Sequence, residues 1–263
     1  MTSIPLHHVD AFALELFRGN PAAVCPLETW LDDALLQSIA TENNLSETAF
    51  FVPEGDRYRL RWFTPVREVP LCGHATLAAA SVIFRDLPPS RDHIAFDTLS
   101  GPLHVSRRGD LLTLDFPVRP PVPCATPPEL LAGLGLPPLE VLFTEGDTNY
   151  YAVYGREGDV RDLQPDTALL GRLPHGVCAT APGESVDFVS RYFVPSYGIP
   201  EDPVTGSTHC ALPPYWSRRL GKTSLLARQL SARGGELACE LAGDRVRISG
   251  RAMAYLDGRI SLP

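Results

Sequence analysis

The chain has 263 residues, 44% of them hydrophobic and 21% charged, the balance of a globular protein that buries a core. A net charge of −8 and the lack of any Lys/Arg cluster argue against nucleic acid as a partner. No stretch reaches the ~20 apolar residues a membrane-spanning helix needs, and the N-terminal segment lacks a hydrophobic signal core, so no membrane partner and a cytoplasmic location are expected.

From the N-terminus, Ile4 to Phe12 and Ala22 to Leu27 read as strands. Leu31, Leu35, Leu36, Ile39 and Ala40 recur at helical spacing and predict an amphipathic helix over 31–43, with Thr29 or Asp32 to cap its start and Asn43-Asn44 to end it. Thr48 to Val52 is apolar and aromatic. From Arg57 to Phe63, arginines alternate with Tyr58, Leu60 and Trp62, the period of a half-buried strand. His74 to Phe84 is almost wholly apolar or small, which predicts a helix buried on most sides. Strands follow at 93–96, 103–106 and 111–116, the last two joined by a turn at Gly109-Asp110. Prolines crowd the segment between 117 and 128 and mark 118–127 as an extended linker. Beyond it, short helices are expected at 128–134 and 166–172 and strands at 139–143, 149–154, 176–180 and 185–193. A buried helix is expected from Ser207 to Leu220, kinked or restarted at Pro213-Pro214. Strands at 224–231, 236–241, 245–248 and 251–260 close the chain. The six cysteines lack framework spacing and are expected to be reduced thiols.

Two stretches follow one template. Arg61-Trp62-Phe63-Thr64-Pro65 leads to Glu68-Val69-Pro70-Leu71-Cys72-Gly73-His74, and Arg191-Tyr192-Phe193-Val194-Pro195 leads to Glu201-Asp202-Pro203-Val204-Thr205-Gly206-Ser207. The repeat predicts two similar halves, 1–117 and 128–250, with the last strand, about 251–263, joining the first. The fold class expected is α/β (α+β), each half a curved, mostly antiparallel sheet around one apolar helix. Gly73 and Gly206 each open a helix in this scheme. Free N–H groups and the positive dipole end favour an anion there, and two such starts facing one another would make a cleft for a small carboxylate.

Glu47 lies between the first amphipathic helix and an apolar strand, where a carboxylate at a cleft mouth could serve as a general base; in isolation it would be a solvated loop residue. Asp202 is either a second proton-handling group or a turn residue before proline. Glu68 and Glu201 are expected to pair with Arg61 and Arg191. His74 could donate a hydrogen bond or shuttle a proton. Cys72, just before a helix start, could act as a base, but its counterpart is Thr205, so a two-thiol mechanism lacks one partner. Cys72-x-His74 and His209-Cys210 match no common metal spacing, and no metal is expected. Asn20 sits in a turn by composition, and its amide could reach the cleft. No dinucleotide fingerprint, P-loop or nucleophile elbow occurs, which excludes a nucleotide cofactor and a serine hydrolase by motif.

Gly19-Asn20-Pro21-Ala22, Asn44-Leu45-Ser46-Glu47-Thr48, Arg61-x-Phe63-Thr64-Pro65, Gly73-His74-x-Thr76-Leu77 and Glu201-Asp202-Pro203-x-Thr205-Gly206-Ser207 together resemble the PhzF-like phenazine-biosynthesis isomerase family, in family order and over almost the whole chain. The resemblance implies the fold of diaminopimelate epimerase, with the active site between the halves, and a homodimer. It implies a cofactor-independent isomerase in which Glu47 moves a proton between carbons of a small cyclic or amino carboxylate. His74, Asp202 and Ser207 then surround the substrate. Two alternatives stay open: an amino-acid racemase or epimerase using Cys72, and a non-catalytic binding protein that kept the fold.

Overall fold

The structure, a computed structural model, describes residues 3–88, 90–146 and 148–262. Two compact units emerge, one made of the residues up to Asp115 together with those from Ser249 onward, the other Phe116–Ile248. In chain order the elements begin β1 (Ser3–Ala11), β2 (Asn20–Pro26), α1 (Asp33–Asn43), β3 (Glu47–Glu54), β4 (Arg57–Phe63) and β5 (Glu68–Val69). They continue with α2 (Gly73–Asp86), β6 (His93–Thr98), β7 (Gly101–Arg108), β8 (Leu111–Pro117), β9 (Val122–Pro123), α3 (Pro128–Leu134), β10 (Glu140–Thr144) and β11 (Asn149–Val153). Next come α4 (Glu157–Arg161), α5 (Thr167–Leu170), β12 (Gly176–Pro182), β13 (Phe188–Val194) and β14 (Ile199–Asp202). The chain ends with α6 (Leu212–Leu220), β15 (Ser224–Gln229), β16 (Gly235–Ala242), β17 (Arg245–Gly250) and β18 (Ala252–Ser261). Among the described residues no helix is long and apolar enough to cross a membrane.

In the first unit the Asp32 side chain accepts the Ala34 N–H and opens α1, and Asn44, left-handed at φ 49°, closes it with its N–H on the Ala40 carbonyl. Leu36, Ile39 and Ala40 of α1 pack with Cys25, Phe50 and Phe63 on one face of the sheet. By strand alternation Ala49 and Phe51 point to the other face, and α2 packs against β1, β2 and β3. Eleven of the 14 residues of α2 are buried, and its alanines let the backbone approach the strands closely. Burying Leu77, Val82, Ile83 and Phe84 contributes about 1.5–3 kcal/mol each. A charged residue at Ala79, 0% exposed, would undo that packing.

In the second unit Leu130, Leu134, Val160 and Leu170 bring α3, α4 and α5 onto one core with Val177, Ala179, Val189 and Phe193 of the sheet. Trp216 of α6 stacks on Phe188, and its indole N–H donates to Thr180 Oγ1 at 3.0 Å. The restart expected at Pro213-Pro214 within 207–220 comes slightly earlier. Ser207–Cys210 is a short 3₁₀ turn, and α6 begins only at Leu212. Pro213 and Pro214 have no N–H to give residues 209 and 210, so both are tolerated only inside the first turn of a new helix. Residues 118–127, expected as an extended linker, are bonded within the second unit. The Val118 and Arg119 N–H groups bond the Asp244 and Cys210 carbonyls, and β9 pairs with β10. The non-proline residues keep donors enough to hold the prolines against the sheet.

The pairing senses repeat from one unit to the other. β1 is antiparallel to β2, β2 parallel to β3, β3 antiparallel to β4, β4 antiparallel to β5 and parallel to β6, and β6 antiparallel to β7. β10, β11, β12, β13, β14, β15 and β16 follow the same senses in the same order. The shared Arg-aromatic-Phe and Glu positions explain themselves. Arg61 grips Glu68 through two bonds of 2.7 Å and lies over the Phe63 ring at 5.1 Å. Arg191 grips Glu201 at 2.8 and 2.9 Å and lies over Phe193 at 5.0 Å. Each bidentate pair fixes a short strand, β5 or β14, against its neighbour.

Candidate active site

Parallel pairing of β2 with β3 sets Ala22 opposite Glu47, so Asn20 and Glu47 open their strands at the same edge of the sheet. The chain leaving β5 turns at Cys72, which precedes α2, and delivers His74 into the helix's first turn. Four side chains meet there. His74 Nε2 lies 3.1 Å from Glu47 Oε2, an ion-pair distance off the angle of a hydrogen bond. On the ring's other side, Nδ1 is 3.2 Å from Asn20 Nδ2 and 3.5 Å from Cys72 Sγ. Asn20 is 0% exposed, whereas the Glu47 side chain keeps 13% of its surface open. Solvent or a ligand therefore reaches the carboxylate and not the amide. The N-cap residue, Cys72, gives α2 no capping hydrogen bond within bonding geometry, and the Gly73 end of the helix dipole lies beside these groups.

Burial opposes a charge on His74, but the adjacent Cys72 and Glu47 outweigh it and raise the imidazole well above its ordinary value. Burial, with the Glu47 charge, pushes the Cys72 thiol up to about 11. The thiol is thus protonated, an acid rather than a ready base. Glu47, Cys72 and His74 each offer a donor atom, all within 4.8 Å of one another. The imidazole, however, stands between the other two and turns one nitrogen to each. The geometry suits passing protons along the line from thiol through imidazole to carboxylate.

The remaining candidates occupy one turn of the second unit. Asp202 ends β14 and is buried, Gly206 is buried, and Ser207 is half-buried. Gly206 opens a 3₁₀ turn of four residues, not the long helix expected, so the helix-dipole part of the anion argument holds at Gly73 alone. Asp202 accepts a short hydrogen bond from Thr205 Oγ1. Gln229 braces the turn: its Oε1 accepts the Thr205 N–H at 2.9 Å, and its Nε2 donates to the Asp202 carbonyl at 2.8 Å. His209, fully buried, donates from Nδ1 to the Thr205 carbonyl at 2.8 Å, and burial lowers it to about 4. Sequence inspection passed over Gln229. Its signal was a glutamine in the buried phase of β15, after Leu225 and Ala227.

The family model described as phenazine biosynthesis-like protein (PhzC-PhzF) matches residues 9–258. A protein of Pseudomonas aeruginosa named an uncharacterized isomerase is 53% identical, the match covering 98% of this chain and 99% of that one. The crystal structure of a PhzF-family phenazine biosynthesis protein from Enterococcus faecalis superposes with a TM-score of 0.95 at 48% identity, covering 99% and 100% of the two chains. A hydroxyproline epimerase from Agrobacterium vitis, 13% identical, covers 99% of this chain and 93% of its own with a TM-score of 0.65, which shows the epimerase-like fold alone. On this evidence the chain belongs to the phenazine biosynthesis-like family.

Proposed function

We propose that this enzyme, an isomerase by family, moves a proton between carbons of a small cyclic or amino carboxylate without a cofactor, with Glu47 as general acid and base. The observation that carries the proposal is the pair of buried His74 and partly open Glu47, 3.1 Å apart at the start of α2, with Asn20 and Cys72, the ring's other partners, buried. The substrate's carboxylate lies against the α2 N–H groups, which favour the negative charge that develops when the adjacent C–H bond breaks. That proton passes to a Glu47 oxygen and returns to a second carbon of the same molecule, so nothing is oxidised or reduced. His74, 3.1 Å away, holds the Glu47 carboxyl group in place through both transfers. Asp202 and Ser207 serve as further substrate-facing groups, and Asn20 acts through His74. A homodimer and a cytoplasmic location belong to the same proposal.

The test is a panel of small cyclic and amino carboxylates in D₂O, read by proton NMR for enzyme-dependent exchange at carbon. Glu47→Gln should keep the fold and slow exchange by roughly 10²- to 10⁴-fold. Equal rates in Glu47→Gln and the parent would remove Glu47 from the chemistry. The alternative, a racemase with Cys72 as its base, meets a thiol raised to about 11 and almost wholly buried. It predicts exchange at a substrate α-carbon that survives Glu47→Gln and is lost in Cys72→Ser.

A further inference from the structure

Gln229 is 0% exposed at the end of β15, and its carboxamide is spent entirely on one turn. Besides the two bonds given above, Nε2 donates to Thr205 Oγ1 at 3.2 Å. A threonine hydroxyl has one proton and two lone pairs. With one lone pair taken by the Gln229 amide, the Thr205 proton is directed at Asp202 Oδ2, the short contact already described. The turn is pinned from other sides as well: Ser231 Oγ donates to the Pro203 carbonyl at 2.7 Å, and Thr208 Oγ1 to the Thr205 carbonyl at 3.0 Å.

The first unit supplies a control. Tyr192 pairs with Asp202 as Trp62 pairs with Val69, so Val69 stands where the second unit has Asp202. Phe188 pairs with Ala227 as Tyr58 pairs with Phe96, which makes Thr98 the counterpart of Gln229. Thr98 bonds only within its own hairpin, Oγ1 to the Gly101 carbonyl at 2.7 Å, among the contacts described for its side chain on that strand end. The same strand arrangement is therefore built without the brace where no carboxylate needs aiming.

We propose that Gln229 and Thr205 are positioning residues for Asp202: the glutamine orients the threonine hydroxyl, and the hydroxyl holds the carboxylate at one angle toward the ligand. Thr205, the counterpart of Cys72, is on this view an orienting donor and takes no proton from substrate. The inference rests on Asp202 as a substrate-facing acid group, as set out under the proposed function.

Carbon-13 NMR of protein labelled at aspartate carboxyls tests it, with the Asp202 resonance identified by its loss in Asp202→Asn. Thr205→Val keeps the side chain's shape and removes the donor, and should raise the Asp202 titration midpoint by about one pH unit, since the lost hydrogen bond favoured the ionised form. Thr205→Ser should restore the parent midpoint. Gln229→Met should shift it in the same direction by a smaller amount, because the hydroxyl is freed to turn away. An unchanged midpoint in folded Thr205→Val, or a serine variant that behaves like the valine one, overturns the proposal; should Gln229→Met fail to fold, the threonine pair decides alone. The measurement reads no turnover, so it fails or succeeds independently of the Glu47→Gln exchange experiment.

Discussion

Glu47 and Gly176 stand at equivalent points of the two units. Thr48 pairs with Phe63 and Val177 pairs with Phe193, so the residue that opens β3 corresponds to the residue that opens β12. One is the carboxylate beside His74; the other has no side chain. The space is not vacant in the second unit, because a Cβ on Gly176 would lie 2.1 Å from the Tyr192 hydroxyl. That hydroxyl donates to Asn149 Oδ1 at 2.8 Å, and Asn149, which opens β11, pairs with Gly176 as Ala22 pairs with Glu47. What the units share is the frame of strand senses and the Arg–Glu clamp. What they do not share is the group each frame presents: carboxylate, imidazole and thiol in one, a braced aspartate in the other. Frame and chemistry have separated, and substitutions can show how completely.

The clamp is the first place to break the likeness. The Arg191 side chain is 11% exposed and also donates to the Val160, Arg161 and Leu163 carbonyls, whereas Arg61 is 22% exposed and spends its third nitrogen on the surface residue Asp33. Arg191→Met leaves Glu201 and three carbonyls without their donor and should destabilise by about 3–5 kcal/mol. Arg61→Met should lose about 1–2 kcal/mol, because water replaces more of what is removed. Urea unfolding of the two variants checks this. Equal losses would mean that the clamps are energetically one motif and that the extra carbonyl contacts contribute nothing.

The clamp was legible because its residues recur in sequence and its chemistry is local to one strand pair. The same holds for α1, where the spacing of Leu36, Ile39 and Ala40 and the cap at Asp32 decide the element before any tertiary contact forms. Asn20, Glu47 and His74 were singled out one at a time; only the parallel register of β2 and β3 and the docking of α2 put them within 3.2 Å of a common ring. The restart expected at Pro213-Pro214 falls before Leu212, because two prolines without N–H groups fit only inside the first turn of the new helix. At 118–127 the prolines say extended but not what the extended backbone lies against. The Tyr192–Gly176 fit leaves no local trace at all, since it depends on a cross-strand register between residues 16 positions apart.

A second comparison sets the two buried histidines against each other. Burial depresses His209 from 6.5 to about 4, so the unfolded chain takes up the proton first. Stability from this group is whole above about pH 6.5 and falls as the pH drops toward 4, by about 3 kcal/mol over the full window. His74 is raised, which reverses the sign: its contribution is whole below 6.5 and is lost as the pH climbs through the folded value. Chemical unfolding at pH 7.5 and 4.5 should show the parent losing stability that His209→Asn keeps, the asparagine amide standing in for the Nδ1–H donor. His74→Gln should differ from the parent on the alkaline side instead. Parallel slopes for His209→Asn and the parent would mean that the second unit's histidine is not the acid-sensitive group.

The smallest effect tests the fit that replaced a side chain with empty backbone. Gly176→Ala places a methyl against the Tyr192 hydroxyl, ring carbon and neighbouring ring atom at 2.1, 2.4 and 2.6 Å, distances at which something must shift. Because Tyr192 is held by Asn149 and lies in a strand, the ring has little freedom to give, and the loss should be about 1–3 kcal/mol. Tyr192→Leu removes all three atoms. Alone it should destabilise, by vacating buried volume and orphaning the Asn149 amide oxygen. Combined with Gly176→Ala it should be less harmful than the sum of the singles by about 1–2 kcal/mol, the mark of residues that share one space. Additive losses would show that Gly176 is required by its backbone and not by the tyrosine, and the second unit would then owe the absence of a Glu47 counterpart to strand geometry rather than to Tyr192.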